Sequence, residues 1–221
     1  MKYLLHIETS TKVCSVALSL DGKLVRLKES NELEYSHGEN LTLFIASVLE
    51  DSKVSLNDLA AISVASGPGS YTGLRIGVST AKGLCYALGI PLIAVDALFS
   101  LAQLAHEKHS DINLCPVIDA RRMEVFNAIY TSSLETLKVI SADVIDENSY
   151  QEFEPFVYFG DGAAKLQEIW KGRNCLIDTT VLASAIGQIP LATLKFQNNE
   201  VEDVAYFEPF YLKDFFTPQK P

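Results

Sequence analysis

Two stretches of this chain set ligand-binding groups at the end of an apolar run. Glu8-Thr9-Ser10-Thr11 follows the short run from Tyr3 to Ile7. A carboxylate beside hydroxyls at a strand end could meet a metal-nucleotide. The same residues also make an ordinary turn, with Glu8 solvated and Thr9 or Ser10 satisfying nearby backbone. The second stretch is Gly67-Pro68-Gly69-Ser70-Tyr71-Thr72-Gly73-Leu74-Arg75, between a strand and a helix. Its glycines permit tight turns, and free amides at a helix start can hold an anion. A structural turn that needs small residues for close backbone packing explains it nearly as well. Arg75 could bind an acid or a phosphate, or pair with a carboxylate across a lobe interface. The segment is neither a Walker A loop nor a dinucleotide fingerprint. Ser70 stands one position late for a GxSxG nucleophile elbow.

Metal and nucleophile chemistry find less support. His37 and Glu39 do not share a helical face, and position 41, one turn on from His37, is Leu. His106 and His109 could reach a common ion, but no third ligand is near in sequence, so both read as surface residues. Asp119-Ala120-Arg121-Arg122-Met123-Glu124 places two carboxylates beside two arginines, which reads as an ion-pair network or an interface rather than a catalytic pair. None of the four histidines sits in a motif that names a general base. The four cysteines are far apart, form no CxxC pair, and read as reduced, buried thiols.

The elements that would position these groups alternate in type. Three strands open the chain: Tyr3 to Ile7, a second around VCSVALSL, and Lys23 to Glu29 with one wet face, the last two joined by an Asp21-Gly22 turn. Ser36 and Glu39 have capping-box spacing ahead of a helix whose Leu41, Phe44, Ile45, Val48 and Leu49 form one apolar stripe. That stripe must be buried, against the sheet or against another subunit. A short helix at about 55–60, a strand from Ala61 to Ala65, and a helix over about 73–88 follow, the last closed by Gly89 and Pro91. Ile93 to Val95 is a strand, and Asp96 caps a helix over 97–108.

The polar segment His109 to Asn113 is the expected lobe boundary, with lobes at 1–108 and 109–221 and a C-terminal segment that could pack back on the first lobe. Beyond it, Leu114 to Ile118, Val125 to Tyr130 and Phe156 to Phe159 read as strands. Residues 133–152 read as helical and polar, Ala163 to Trp170 as a helix, and 181–188 and 190–197 as short helices around Pro190. The aromatic ending FEPFYLKDFFTPQKP either packs on its own fold or docks on a partner. The whole reads as layered α/β lobes.

Nearly half of the 221 residues are apolar, and the formal net charge is −10. Such a surface repels phosphate backbone, so tight autonomous RNA binding is not expected. The N-terminus has too short an apolar run for a signal peptide, and no stretch approaches the roughly 20 apolar residues that span a bilayer. A cytoplasmic location is expected.

The motifs together resemble one family. HIETSTKVCSVALSLDGK is similar to its opening strand, turn and hairpin, and SHGENL to the start of its first helix. SGPGSYTGLRIGVSTAKGLCYALGIPLIAVDALFSLA, Ser66 to Ala102, resembles its longest signature; DARRMEVFNAIY resembles its second-lobe motif and FYLK its ending. The family is TsaB, or YeaZ, of the tRNA threonylcarbamoyladenosine pathway. The resemblance is strong over residues 3–130 and diffuse beyond.

The resemblance implies a two-lobed actin-like ATPase fold, of the Hsp70 and sugar-kinase kind, with a shortened second lobe. It implies a non-catalytic scaffold, without cofactor or metal. The catalytic subunit TsaD is its partner, with the ATPase TsaE joining and a homodimer forming in isolation. It implies contact with tRNA only through the complex, no membrane, and transfer of threonylcarbamoyl to adenosine 37 by TsaD. The interface implied involves His37, Leu41, Phe44, Ile45, Val48, Leu49, Leu74, Arg75 and Val78. Glu8, Thr9, Ser10, Gly67, Gly69, Ser70 and Gly73 become a vestigial nucleotide or anion loop. Two departures bear on this. The catalytic relative has two histidines four apart where this chain has His37 and Leu41. The usual opening has Asp where this chain has Glu8, and the extra methylene displaces the carboxylate. The rival reading is a stand-alone actin-fold ATPase or kinase acting through Glu8 and the glycine segment.

Overall fold

The run from Tyr3 to Glu8 (β1) becomes the central strand of a five-stranded sheet. This computed structural model describes residues 1–30 and 37–213, without the side chains of His37 and Glu39. β1 pairs antiparallel with β2 (Cys14–Leu20), which turns at Asp21-Gly22 into antiparallel β3 (Lys23–Ser30). Both turn residues have positive φ, as a tight hairpin requires. On its other side β1 pairs parallel with β4 (Leu59–Gly67), and β4 with β5 (Leu92–Asp96), giving the order β3-β2-β1-β4-β5. The crossovers are α1 (His37–Ser52) and α2 (Tyr71–Leu88). Gly89 closes α2 in the left-handed conformation.

The second sheet repeats the plan. β6 (Asn113–Asp119) pairs antiparallel with β7 (Glu124–Tyr130), and β7 with β8 (Thr136–Val144). β6 pairs parallel with β9 (Phe156–Phe159), and β9 with β10 (Cys175–Asp178). The crossover helices of the first lobe are reduced here to single 3-10 turns, Gln151–Phe153 and Ala164–Leu166. Two sheets of one topology, the second with shrunken crossovers, form the two-lobed actin-like fold with a shortened second lobe.

Alternation along the strands sorts the core into layers. Leu5 and Ile7 of β1, with Ile62 and Val64 of β4, pack under α1 and α2. Leu4, Ala61, Ile93 and Val95 point to the opposite face, which is covered by α4 (Ile189–Gln197). α3 (Ala97–His106) instead lies on the second sheet, its Leu98 and Leu101 against Ile118, Phe126 and Phe159. Core packing therefore crosses residue 108 in both directions: α3 leaves the first lobe for the second sheet, and α4 returns to the first. Trp170 fills the far side of the second sheet among Phe156, Tyr158 and Tyr150.

Several expected elements are corrected. Residues 133–152 were expected to be helical and polar, but the edge strand β8 runs through them. Its alternation is inverted: Lys138 is half-buried, reaching Asn127 and Asp143, while Val139 is 74% exposed. Ala163 to Trp170 is one 3-10 turn and further turns rather than a helix, and β10 was not expected. The helix placed at 55–60 is a 3-10 turn, Leu56–Asp58, carrying the expected capping box from Ser55. β3 is exposed over most of both faces, as befits a sheet edge. The capping box at Ser36 and Glu39 lies outside the described residues. Among the described residues no helix is long and apolar enough to cross a membrane.

Candidate functional site

The turn after β1 is sealed into the protein. Glu8, Thr9, Ser10 and Thr11 are at most 4% exposed. Glu8 Oε1 accepts the Ser10 amide at 2.7 Å, and burial holds the Glu8 carboxyl above the usual carboxylate range. Thr9 Oγ1 donates to the Gly73 carbonyl at 2.8 Å, tying the turn to the first residues of α2. The glycine segment closes over the same spot. Ser70 N donates to the Ser10 carbonyl at 2.6 Å, and Ser70 Oγ accepts from Gly73 N as the cap of α2. The Ser70, Gly73 and Leu74 amides therefore already have protein acceptors.

Two glycines make this approach possible. A Cβ on Gly69 would fall on the Ser10 carbonyl, 2.8 Å from Ser10 Cβ, and one on Gly77 would fall on Thr9 Oγ1. Of the two sequence readings of the glycine segment, close backbone packing is the one this geometry supports. The Ser10 hydroxyl has no hydrogen-bond partner among the described residues.

Beneath the turn lies a polar network that sequence reasoning missed. His6 Nδ1 and Nε2 sit 2.7 Å from the hydroxyls of Ser63 and Ser19. Ser63 Oγ donates its single proton to Gln188 Oε1 at 2.7 Å. It can therefore only accept from His6 Nδ1, which leaves Nε2 to accept from Ser19. His6 is a neutral, fully paired core residue, its pKa pushed down to about 3 by burial. Gln188 Nε2 donates to the Ile7 carbonyl, so the chain's end region is bonded to its first strand. Its signal in sequence was only a His at a core position of β1. Asp96 caps α3 by accepting from Phe99 N at 2.7 Å, and burial raises its pKa to about 6.

The expected interface residues fall into two sets. Leu41, Ile45, Val48 and Leu49 of α1 and Leu74 and Val78 of α2 are in or against the lobe's own core, at most 7% exposed. Burying such side chains is worth about 1.5–3 kcal/mol each, so the apolar stripe is accounted for by its own sheet. Phe44 is half-buried against that core, and Arg75 is exposed over the Tyr71 ring. The side chain of His37 lies outside the described residues. The reverse faces of the two helices are exposed among the described residues: Thr42, Leu43 and Ala46 on α1, and Arg75, Ser79 and Tyr86 on α2. Leu43 is 63% and Tyr86 85% exposed. Tyr86 had a legible signal, an aromatic on the polar side of an amphipathic helix.

The ending straps both lobes. Lys82 Nζ donates to the Phe207 carbonyl at 2.8 Å, Phe210 N donates to Ser66 O at 2.7 Å, and Tyr211 lies 4.7 Å from Tyr71. Leu212 then packs on the second core, and Lys213 pairs with Glu124. Lys165 pairs with Asp119 and Lys213 with Glu124, so among the described residues the carboxylates of the 119–124 segment are matched by distant lysines and not by the adjacent arginines that the sequence suggested. His106 and His109 share no ion site: His109 bonds Asp178 at 2.9 Å. All four cysteines are free, three of them buried. Among the described residues no group of three or more His, Cys, Asp or Glu side chains is arranged to hold a metal ion.

A family model described as "TsaD: tRNA N6-adenosine threonylcarbamoyltransferase" matches residues 31–215. The chain is 30% identical over 220 residues to the tRNA threonylcarbamoyladenosine biosynthesis protein TsaB of Escherichia coli K12, spanning 96% of this chain and 94% of that one. It is 29% identical over 231 residues to the TsaB of Haemophilus influenzae, spanning 98% and 96%. The solved structure of YeaZ from Pseudomonas aeruginosa superposes with a TM-score of 0.81 at 26% identity, covering 96% of this chain and all of that one.

Proposed function

The chain belongs to the TsaB, or YeaZ, family of tRNA threonylcarbamoyladenosine biosynthesis proteins, related to TsaD, and from that premise we propose how it acts. It is a non-catalytic partner in forming threonylcarbamoyladenosine on tRNA, and it supports TsaD. The observation that carries this reading is the closure of the β1 turn. Where an actin-like ATPase would receive phosphates, Glu8 to Thr11 are buried under Gly69 and Ser70 of the same chain. A stand-alone ATPase or kinase needs that turn open to ligand, so the rival reading loses its motivation.

The contact with TsaD runs through the outward face of α1 and α2, with Leu43, Phe44, Arg75 and Tyr86 as its larger side chains. Thr42, Ala46 and Ser79 keep that face low enough for helices to approach closely. The core stripe beneath, from Leu41 to Leu49 and including Leu74 and Val78, holds the two helices in place. The same face serves a homodimer when the partner is absent, since one apolar patch with two-fold symmetry can face itself. TsaE joins the assembly, which works in the cytoplasm.

The test is a pair of surface substitutions, Leu43→Asp and Tyr86→Asp, in light scattering with the cognate TsaD. Loss of the mixed species by both variants, at an unchanged melting temperature, is the expected result. A mixed species as stable as the parent's would remove α1 and α2 from the interface.

A further inference from the structure

The hairpin joining β6 to β7 carries two arginines on a backbone that does not suit them. Arg121 has φ of 70° and Arg122 of 49°, the left-handed region that glycine enters freely and larger L-residues at a cost. Strain of this kind persists where something other than the turn selects the side chain. Both residues are exposed, and neither guanidinium has a hydrogen bond, ion pair or ring contact among the described residues.

Their surroundings are arranged to leave that charge unspent. The nearest carboxylates are already matched, Asp119 by Lys165 and Glu124 by Lys213. Asp161 accepts the Asp119 amide at 3.0 Å, and the charge of Lys12, from the turn between β1 and β2, acts on Asp161. The exposed Lys12 of the first lobe and the arginine tip of the second therefore flank one cluster. On a chain of formal charge −10 this is a local excess of cations among the described residues. Guanidinium groups with all donors free match phosphate oxygens in a two-point fork.

We propose that Arg121 and Arg122 form a phosphate-backbone contact for the tRNA on which the assembly acts. That the polyanion is tRNA rests on the proposed function; the patch itself does not. The contact is peripheral and carries no sequence information, because phosphate contacts position and base contacts specify. It adds to the hold the catalytic partner has on the same tRNA, since the acidic remainder of this chain repels the backbone.

The test uses the assembled complex of the full chain with TsaD and TsaE, and the double variant Arg121→Gln/Arg122→Gln. Affinity for tRNA is measured across a salt series. The variant is expected to bind several-fold to about tenfold more weakly, with the slope of log K against log salt flatter by about 1 to 2. Arg121→Gly/Arg122→Gly, which suits the left-handed backbone, is expected to lose affinity equally while melting no lower than the parent, which excludes misfolding as the cause. Equal affinity and slope in parent and variant, with the parent complex still modifying tRNA, would overturn this contact and leave the proposed function standing. Loss of TsaD or TsaE from the variant complex would reassign the tip to an acidic protein partner and overturn it as well. A parent complex that neither binds nor modifies tRNA would instead sink the functional reading on which the identity of the polyanion rests.

Discussion

Replacing Gly69 by Ala tests whether the glycine segment is a packing device. The added Cβ would overlap the Ser10 carbonyl and lie 2.9 Å from the Ser10 carbonyl carbon. The obstacle is backbone on both sides, so no side chain can swing away. Forcing a methyl into such a contact costs about 1–3 kcal/mol, and parting the two loops also weakens the Ser70 to Ser10 hydrogen bond, worth about 1 kcal/mol. A total near 3 kcal/mol lowers the melting temperature of a domain this size by about 6–12 °C. Gly83→Ala is the control. It sits on the exposed side of α2 with nothing within 4 Å of its Cβ, and should gain about 0.5–1 kcal/mol from helix propensity. Scanning calorimetry on both variants reads the two signs directly. A Gly69→Ala protein melting within about 1 °C of the parent would refute the sealed-turn argument and return the segment to the role of an open anion loop.

Other outcomes follow from single contacts. Asp96→Asn keeps an N-cap acceptor for Phe99 but removes a carboxyl whose folded pKa is raised to about 6. A raised carboxyl contributes stability below its unfolded pKa and loses it as pH rises through 6. The stability of Asp96→Asn relative to the parent should therefore grow between about pH 4 and 7, by at most about 3 kcal/mol in urea melts, and a flat difference would contradict the buried-carboxyl picture. His6→Ala leaves the Ser19 hydroxyl, and its side of Ser63, without partners in a fully buried site. A loss of about 2–4 kcal/mol in the same melts is expected, and a neutral substitution would mean the network adds nothing. Lys82→Met releases the carbonyls of Ala205 and Phe207, and limited proteolysis should then cut faster within 201–213, with an unchanged cleavage rate counting against the strap.

Much of the first lobe was legible because its signals are local. An Asp-Gly turn, a run with a 3.6-residue period and a Gly-Pro stop each report their own element. The stripe from Leu41 to Leu49 was equally clear, but a sequence pattern says that a face is buried and not what buries it. Here the sheet does, which turns attention to Leu43 and Tyr86 on the far side. β8 was illegible because an edge strand carries Lys138 inward, where Asn127 and Asp143 satisfy it, and Val139 outward. The placement of α3 on the second sheet was invisible because it depends on which sheet a helix meets, not on the helix. The His6 network joins residues up to 182 positions apart, His6 to Gln188, and no window of sequence contains it.

The most direct test of the central claim is a reconstituted modification reaction. The cognate TsaD and TsaE are supplied with tRNA and the threonylcarbamoyl donor, with and without this chain, and modified adenosine is measured by mass spectrometry of nucleosides. Modification that requires this chain and is unchanged by Glu8→Gln, a conservative change in the sealed turn, is the result expected of a non-catalytic partner. Modification that proceeds equally without the chain, or that is abolished by Glu8→Gln in a protein that still folds and assembles, would contradict it.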